Sequence, residues 1–385
     1  MNAGGNQALL PAGLRDVLAP DAAFEADIVG RLMGELAAFG YERVKPPLIE
    51  FEDSLLSGPG AALSAQTFRL MDPVSQRMMG LRADMTVQVA RIAATRLRNA
   101  PRPLRLCYAG QVLRVKGSNL RPERQFGQVG AELIGTPSAH ADAEIVVLAA
   151  GALAAVGAAH LSVDLTLPTL VPSVASGLGF APEAAAALAV ALDRKDAAAV
   201  AALAGDHGPL FAALLAAAGP AERAVGRLQK LELPAAAAAE RARLVEVVGL
   251  VRAAAPQLLL TVDPVENRGL EYHSGVSFAL FARRVRSELG RGGRYLTGAS
   301  GESSTGFSVY LDSLLRALPE PAAAPRLFLP LGTDPARGAA LRAEGWVTVA
   351  GLTPAAEPRA EARRLGCSHW YNAGGIVPLD GTDRG

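Results

Sequence analysis

The sequence predicts an α+β protein: a sheet flanked by helices, interrupted by a helical insertion and followed by a small α/β unit. Three observations point there. Residues 104–114 and 125–135 read as the two strands of a hairpin, joined by the polar, basic loop Val115 to Arg124. Residues 170–255 turn Ala-rich and are broken by Gly177, Gly179, Gly205, Gly219 and several prolines. Past the proline-rich linker 319–325, strand and helix patterns alternate in a short stretch.

Taken in order, the chain opens on a helix. Phe24, Ile28, Leu32 and Leu36 recur every four residues, Asp21 is a candidate N-cap, and Gly40 stands where a C-terminal glycine belongs. Tyr41 to Glu50 carries Pro46 and Pro47, which bar it from the middle of a sheet, so it ends a strand or lies on an edge. Residues 140–157 read as an Ala-rich helix and 161–167 as an alternating, half-buried strand. Strand patterns return at 257–263 and 272–282, followed by a glycine-rich turn at 290–293. A helix is expected after the small-residue run 298–306, with the stripe Phe307, Leu311, Leu314, Leu315 and Leu318. The last unit reads as strand 327–331, helix 336–344, strand 347–352, helix 358–365 and a short strand near Trp370. The expected domains are 1–168 with 256–320, the insertion 169–255, and the unit 326–385.

Bulk properties narrow the function. Of 385 residues half are hydrophobic and 19% charged, and the net charge is +1. A protein that grips a nucleic-acid backbone usually carries a clear positive excess, so no nucleic-acid partner is expected. Cys107 and Cys367 stand far apart and the five histidines are scattered, so neither a disulfide framework nor a metal site is expected, and no cofactor. No run reaches the roughly 18 uninterrupted apolar residues of a membrane span; the Ala-rich stretch 184–204 is interrupted at Asp193, Arg194, Lys195 and Asp196. With no signal pattern in Met1 to Leu10, a cytoplasmic protein is expected.

Four segments could carry chemistry. In the second hairpin strand, alternation puts Gln128 and Glu132 on one face with Gly130 between them, and Val129, Ala131 and Leu133 on the other. A glycine there leaves bare sheet for a small ligand, and Glu132 could accept from an NH-bearing group; a solvated face with a Glu132–Arg114 ion pair is the alternative. Asp84 and Thr86 could hold an ammonium group or could cap a helix. Arg268, before Gly269, could reach a carboxylate in fork geometry. Tyr272 and His273 face opposite ways if their strand is regular, and His273 could equally be structural. Arg291-Gly292-Gly293-Arg294-Tyr295 is not a dinucleotide fingerprint.

In order and spacing these pieces resemble the catalytic domain of histidyl-tRNA synthetase, a class II aminoacyl-tRNA synthetase. Leu10 to Asp16 is similar to that family's start and Tyr41 to Glu50 to its dimer-forming motif 1. Tyr108 to Arg114 and Arg124 to Glu132 are similar to motif 2 and its hairpin. Arg268-Gly269-Leu270-Glu271-Tyr272 and Gly292-Gly293-Arg294-Tyr295 resemble the two histidine-specific signatures, and Gly306-Phe307-Ser308 begins a segment like motif 3. The resemblance spans about residues 8–318 and implies a class II synthetase-like antiparallel sheet.

The departures bear on function. Where motif 2 has Phe-Arg-x-Glu, this chain has Leu113-Arg114-Val115-Lys116, and Ser313 stands where motif 3 carries an Arg for the ATP phosphates. Losing one preorganised group of this kind costs about 3–4 kcal/mol of transition-state stabilisation. The C-terminal unit is also shorter than the family's anticodon-binding domain. A synthetase-like body without ATP groups resembles the regulatory subunits of ATP phosphoribosyltransferase. That resemblance implies a non-catalytic chain that partners a short catalytic chain in the first step of histidine biosynthesis, with L-histidine as feedback effector and a homodimer core inside a hetero-oligomer. It also implies an effector pocket of Asp84, Thr86, Arg114, Gln128, Glu132, Arg268, Tyr272, His273 and Tyr295. In it Asp84 and Thr86 would hold the amino group, Arg268 the carboxylate and Glu132 the imidazole. Asp84 stands where the synthetase has Glu, and His273 where it has Tyr. A diverged working synthetase and an RNA-binding or sensing module are the alternatives.

Overall fold

The computed structural model describes residues 9–118, 121–267, 272–283, 285–297, 301–321, 324–373 and 375–379. They form two compact units, 1–319 and 320–385.

The first unit is built on a nine-stranded mixed sheet. Its order is Glu42–Arg43, Leu104–Leu113, Gln125–Ile134, Glu302–Tyr310, Gly290–Thr297, His273–Ala282, Leu161–Thr166, Leu259–Asp263 and Gly219–Pro220. Neighbours run antiparallel except Glu42–Arg43 beside Leu104–Leu113 and Leu161–Thr166 beside Leu259–Asp263. The hairpin read from the sequence is there, ten residues paired with ten from Leu104↔Ile134 to Leu113↔Gln125. Alternation sorts its second strand as expected. Val129, Ala131 and Leu133 join the main apolar cluster with Ile28, Leu32 and Leu36 of helix Asp21–Ala38 and Ile145 and Leu148 of helix Ala139–Ala155. Gln128, Gly130 and Glu132 take the other face, which helix Thr86–Thr95 covers.

The first helix ends on Gly40 at φ +82, a left-handed position that glycine adopts without a Cβ penalty, and Tyr41 N donates back to Leu36 O at 3.1 Å. Its start differs from expectation: Pro20 is the N-cap, and Asp21 lies inside the first turn, where its charge still favours the helix dipole. Pro46 and Pro47 follow the edge strand, as their missing donors require. Their carbonyls are taken up by side chains instead: Arg82 Nη1 donates to Pro46 O at 3.0 Å and Gln88 Nε2 to Pro47 O at 2.8 Å.

Two expectations fail in the centre of the sheet. The glycine-rich turn at 290–293 is the start of strand Gly290–Thr297, and Phe307 belongs to strand Glu302–Tyr310, so the helix begins only at Leu311 and ends at Ala317. The cause is close approach. A Cβ on Gly292 would overlap the Gly306 carbonyl and come within 2.5 Å of the Phe278 ring; one on Gly293, at φ +151, would meet Ser277 Cβ at 2.5 Å and His273 Cδ2 at 2.6 Å. The glycines admit neighbouring backbones and rings rather than turning the chain.

Residues 170–255 form six helices: Leu170–Gly177, Pro182–Asp193, Ala197–Ala204, Gly208–Ala216, Ala221–Leu228 and Ala235–Ala254. Their Leu188, Phe211, Leu214 and Leu244 lie in the same apolar cluster as the sheet, and Ala235–Ala254 packs on Ala139–Ala155. Residues Ala197–Ala216 are apolar and long enough to cross a membrane by composition. Here, however, Gly205 at φ +54 breaks them into two helices that pack on each other.

The second unit is a four-stranded sheet in the order Val347–Ala350, Arg326–Leu329, His369–Asn372, Gly375–Pro378, with helices Pro335–Ala343 and Pro358–Arg364. The first three strands are parallel, and Gly375–Pro378 adds an antiparallel edge that sequence reading did not include.

Gly292→Ala is expected to lower the unfolding free energy by about 1–3 kcal/mol in a urea titration, because the added methyl overpacks the sheet centre. Gly249→Ala, in a helix where a new Cβ meets nothing within 4 Å, is the control and should be neutral or stabilising. Equal effects would contradict this account of the central glycines.

Candidate functional site

Three adjacent central strands build the floor of the site. Register aligns Glu132 with Gly306 and Gly306 with Gly293 in one row, and Gly130 with Ser308 and Ser308 with Arg291 in the next. Because faces alternate, Arg291, Gly293 and Tyr295 point one way, as do Gly306, Ser308 and Tyr310. Above this floor is a cavity of about 260 Å³. Its walls come from residues 62–66, the start of helix Thr86–Thr95, the hairpin and the segment at Tyr272 and His273.

Seven of the nine residues singled out in the sequence line this cavity: Asp84, Thr86, Arg114, Glu132, Tyr272, His273 and Tyr295. Gln128 stands behind them, fully buried. Its Oε1 accepts from Met85 N at 3.0 Å and its Nε2 donates to Asp84 Oδ2 at 2.8 Å and to Ser308 Oγ at 2.7 Å, so it positions Asp84 rather than facing a ligand. Arg268 lies outside the described residues.

Glu132 is the centre of the arrangement, with 1% of its surface exposed. The Tyr108 hydroxyl donates to its Oε1 at 3.0 Å and the Tyr295 hydroxyl to its Oε2 at 2.8 Å. The ion pair with Arg114 that was the alternative is not formed; Arg114 donates to Ala83 O at 3.4 Å and lies over the Phe126 ring, 5.1 Å from its centre. Burial pushes the Glu132 carboxyl up to about 8, against the opposing effect of the two phenols, and nearby Asp84 adds to the rise. Burial and the Glu132 charge likewise hold the Tyr108 and Tyr295 hydroxyls well above the ordinary phenol range.

The expectation that Gly130 leaves bare sheet for a ligand is corrected. A Cβ there would sit 2.5 Å from the Tyr108 hydroxyl, so the neighbouring tyrosine fills the space. Gly306 does the same for Glu132, whose carboxylate occupies the place of its missing side chain. Asp84 serves the helix start, its Oδ1 accepting from Thr86 N at 2.8 Å, and both side chains line the cavity. Tyr272 and His273 do not diverge. Tyr272 precedes the strand and a bulge follows His273, so their rings stack at 4.1 Å and both reach the cavity.

The cavity also carries basic and aromatic groups. Arg114 and Arg291 line it with Glu288 and Tyr310. Arg291 donates from Nη2 to Glu288 Oε2 at 2.9 Å. Burial alone would lower its guanidinium, but the charges of Tyr310 and Glu288 outweigh that and hold it above its ordinary value. Arg121 lies 3.8 Å over the Tyr310 ring and pairs with Asp312 at 3.3 Å. Sequence reading missed Tyr108, Glu288, Ser308 and Tyr310; had 290–297 and 302–310 been read as strands, their period of two would have aligned Arg291, Ser308 and Tyr310 with the residues already chosen. Among the described residues no group of three or more His, Cys, Asp or Glu side chains is placed to hold a metal ion.

The histidyl-tRNA synthetase family matches residues 13–314. Among curated proteins, the ATP phosphoribosyltransferase regulatory subunit of Rhodospirillum centenum is 61% identical over 374 residues, covering 97% of both chains. The chain belongs to the ATP phosphoribosyltransferase regulatory subunit family. A regulatory subunit of the same name from Rhodospirillum rubrum is 53% identical over 94% of this chain and 95% of its own. Among solved structures, a Bacillus halodurans protein described as an ATP phosphoribosyltransferase regulatory subunit/histidyl-tRNA synthetase superposes with a TM-score of 0.81. It is 23% identical and covers 93% of this chain and 96% of its own. The Nostoc histidyl-tRNA synthetase shares the fold at a TM-score of 0.79 and 15% identity, over 95% and 91% of the two chains. The regulatory subunit family thus keeps the class II synthetase-like architecture expected from the motifs.

The Glu132 carboxyl gives this site a measurable signature. Its folded value lies above its ordinary 4.5, so between about 4.5 and 8 the folded state binds more protons than the unfolded one. Stability contributed by this group therefore falls as pH rises through that window. Glu132→Gln removes the dependence: in urea titrations its stability relative to the wild type should rise from pH 5 to pH 8.5. A difference independent of pH would contradict the buried-carboxyl assignment.

Proposed function

We propose that this chain is the non-catalytic regulatory subunit of a two-chain ATP phosphoribosyltransferase, that it partners a short catalytic chain, and that L-histidine is its feedback effector. The observation that carries the effector reading is the polarity of the cavity. Asp84, Thr86 and Glu132 line it together with Arg114 and Arg291, so groups of both signs are present for a zwitterion. In this reading Asp84 and Thr86 take the ammonium group and Glu132 the imidazole. The carboxylate faces Arg114 and Arg291, with Arg268 as the further partner implied by resemblance.

The two substituted positions support a regulator over a synthetase. Lys116 is exposed, and Ser313 is fully buried with its hydroxyl 3.0 Å from that of Ser287; neither lines the cavity. Histidine then acts by binding two states of the assembly unequally, with couplings of roughly 1–3 kcal/mol. The assembly is a soluble, cytoplasmic hetero-oligomer around a homodimer core, without nucleic acid.

The test is phosphoribosyl transfer by the short catalytic chain, with and without this protein, across a histidine titration. Activity should change on addition, histidine should inhibit only the mixture, and this chain alone should show no histidine-dependent ATP–pyrophosphate exchange. If the protein alters neither activity nor histidine response, the regulatory reading falls; robust exchange would make it a synthetase instead.

A further inference from the structure

Glu132 is a carboxylate sealed in a cavity wall, and its hydrogen-bond partners there are the hydroxyls of Tyr108, Tyr295 and Thr86 rather than cations. An ionised carboxylate so placed is costly unless a positive group joins it, and the group otherwise keeps a proton. The residues around it form one connected hydrogen-bond network. The Tyr108 hydroxyl, which does not line the cavity, touches three oxygens: Glu132 Oε1 at 3.0 Å, Ser308 Oγ at 3.0 Å and Thr86 Oγ1 at 3.2 Å. Ser308 in turn accepts from Gln128, which also donates to Asp84. The two carboxylates of the site are therefore joined through Tyr108, Ser308 and Gln128.

We propose that ligand capture in this cavity releases a proton from Glu132, and that Tyr108 is the positioning residue that sets the pH at which this happens. In the empty cavity the carboxyl is largely protonated at neutral pH. A ligand that brings a cationic ammonium group and a ring N–H into the cavity stabilises the ionised form. The proton leaves to solvent, and Glu132 accepts from the ligand with both phenols still in place. The groups facing Glu132 are Tyr108 from strand Leu104–Leu113, Tyr295 from Gly290–Thr297, Ser308 from Glu302–Tyr310, and Asp84 and Thr86 from the start of helix Thr86–Thr95, with Tyr272 and His273 beside them. Of these Asp84 opposes ionisation, while the hydroxyls of Tyr295, Tyr108 and Thr86 favour it; burial, the largest influence, opposes it. Arg114, Arg291 and Glu288 also line the cavity.

The inference rests on the reading of the cavity as a histidine site, and the experiment separates the two. Calorimetric titration of L-histidine into the whole chain at pH 7.5, in two buffers of different ionisation enthalpy, counts the protons exchanged. With the carboxyl at about 8, release of about three quarters of a proton is expected. Tyr108→Phe loses the hydroxyl that stabilises the ionised form, so its affinity loss should be larger at pH 6.5 than at pH 8.5, by about threefold. The ligand's own titration cancels in that ratio. Binding without buffer dependence overturns the proton linkage and leaves the histidine site standing. A Tyr108→Phe loss equal at both pH values overturns the role of Tyr108. No binding in either buffer overturns the histidine site itself.

Discussion

A single buried carboxylate organises the middle of this protein. Glu132 cannot be solvated where it stands, so the surrounding strands supply Tyr108 and Tyr295 to meet it. Both the carboxylate and the first of those rings need room that only glycine leaves: Gly306 for the carboxylate, Gly130 for Tyr108. The central strands are consequently rich in glycine and small residues at the point where a sheet would otherwise carry its bulkiest side chains. The apolar work is transferred to the other face, where Val129, Ala131 and Leu133 pack against the two long helices. The site and the core are the two faces of one strand.

This division explains what the sequence made legible. Alternation along Gln125–Ile134 sorted Gln128 and Glu132 from the core residues correctly, because that strand carries a side chain at nearly every position. Gly290–Thr297 and Glu302–Tyr310 did not declare themselves, since their glycines answer to backbones and rings from distant parts of the chain. Gly292 looks like a turn until Phe278 is seen beside it. Phe307 joined a false helical stripe because Leu311, Leu314 and Leu315, which really are helical, follow it at matching intervals. The helical character of residues 170–255 was legible from composition, but the continuity of their core with the sheet was not, for that depends on which faces meet.

The cavity itself was legible only through the order of several weak motifs. Asp84, Glu132, Tyr272 and Tyr295 lie up to 211 positions apart (295 minus 84) and converge because three neighbouring strands and one helix start bring them together. Its lining holds both acidic and basic groups, and Lys116 and Ser313 lie outside it. Under the proposed function, recognition uses that charged lining, and transmission requires that two states of the assembly bind the effector unequally.

The most direct measurement is a crystal structure of the chain grown with L-histidine. The account predicts the amino acid inside the cavity, its ring against the Glu132 carboxylate and its ammonium group at Asp84 and Thr86. An empty cavity, with histidine bound at some other surface, would contradict it.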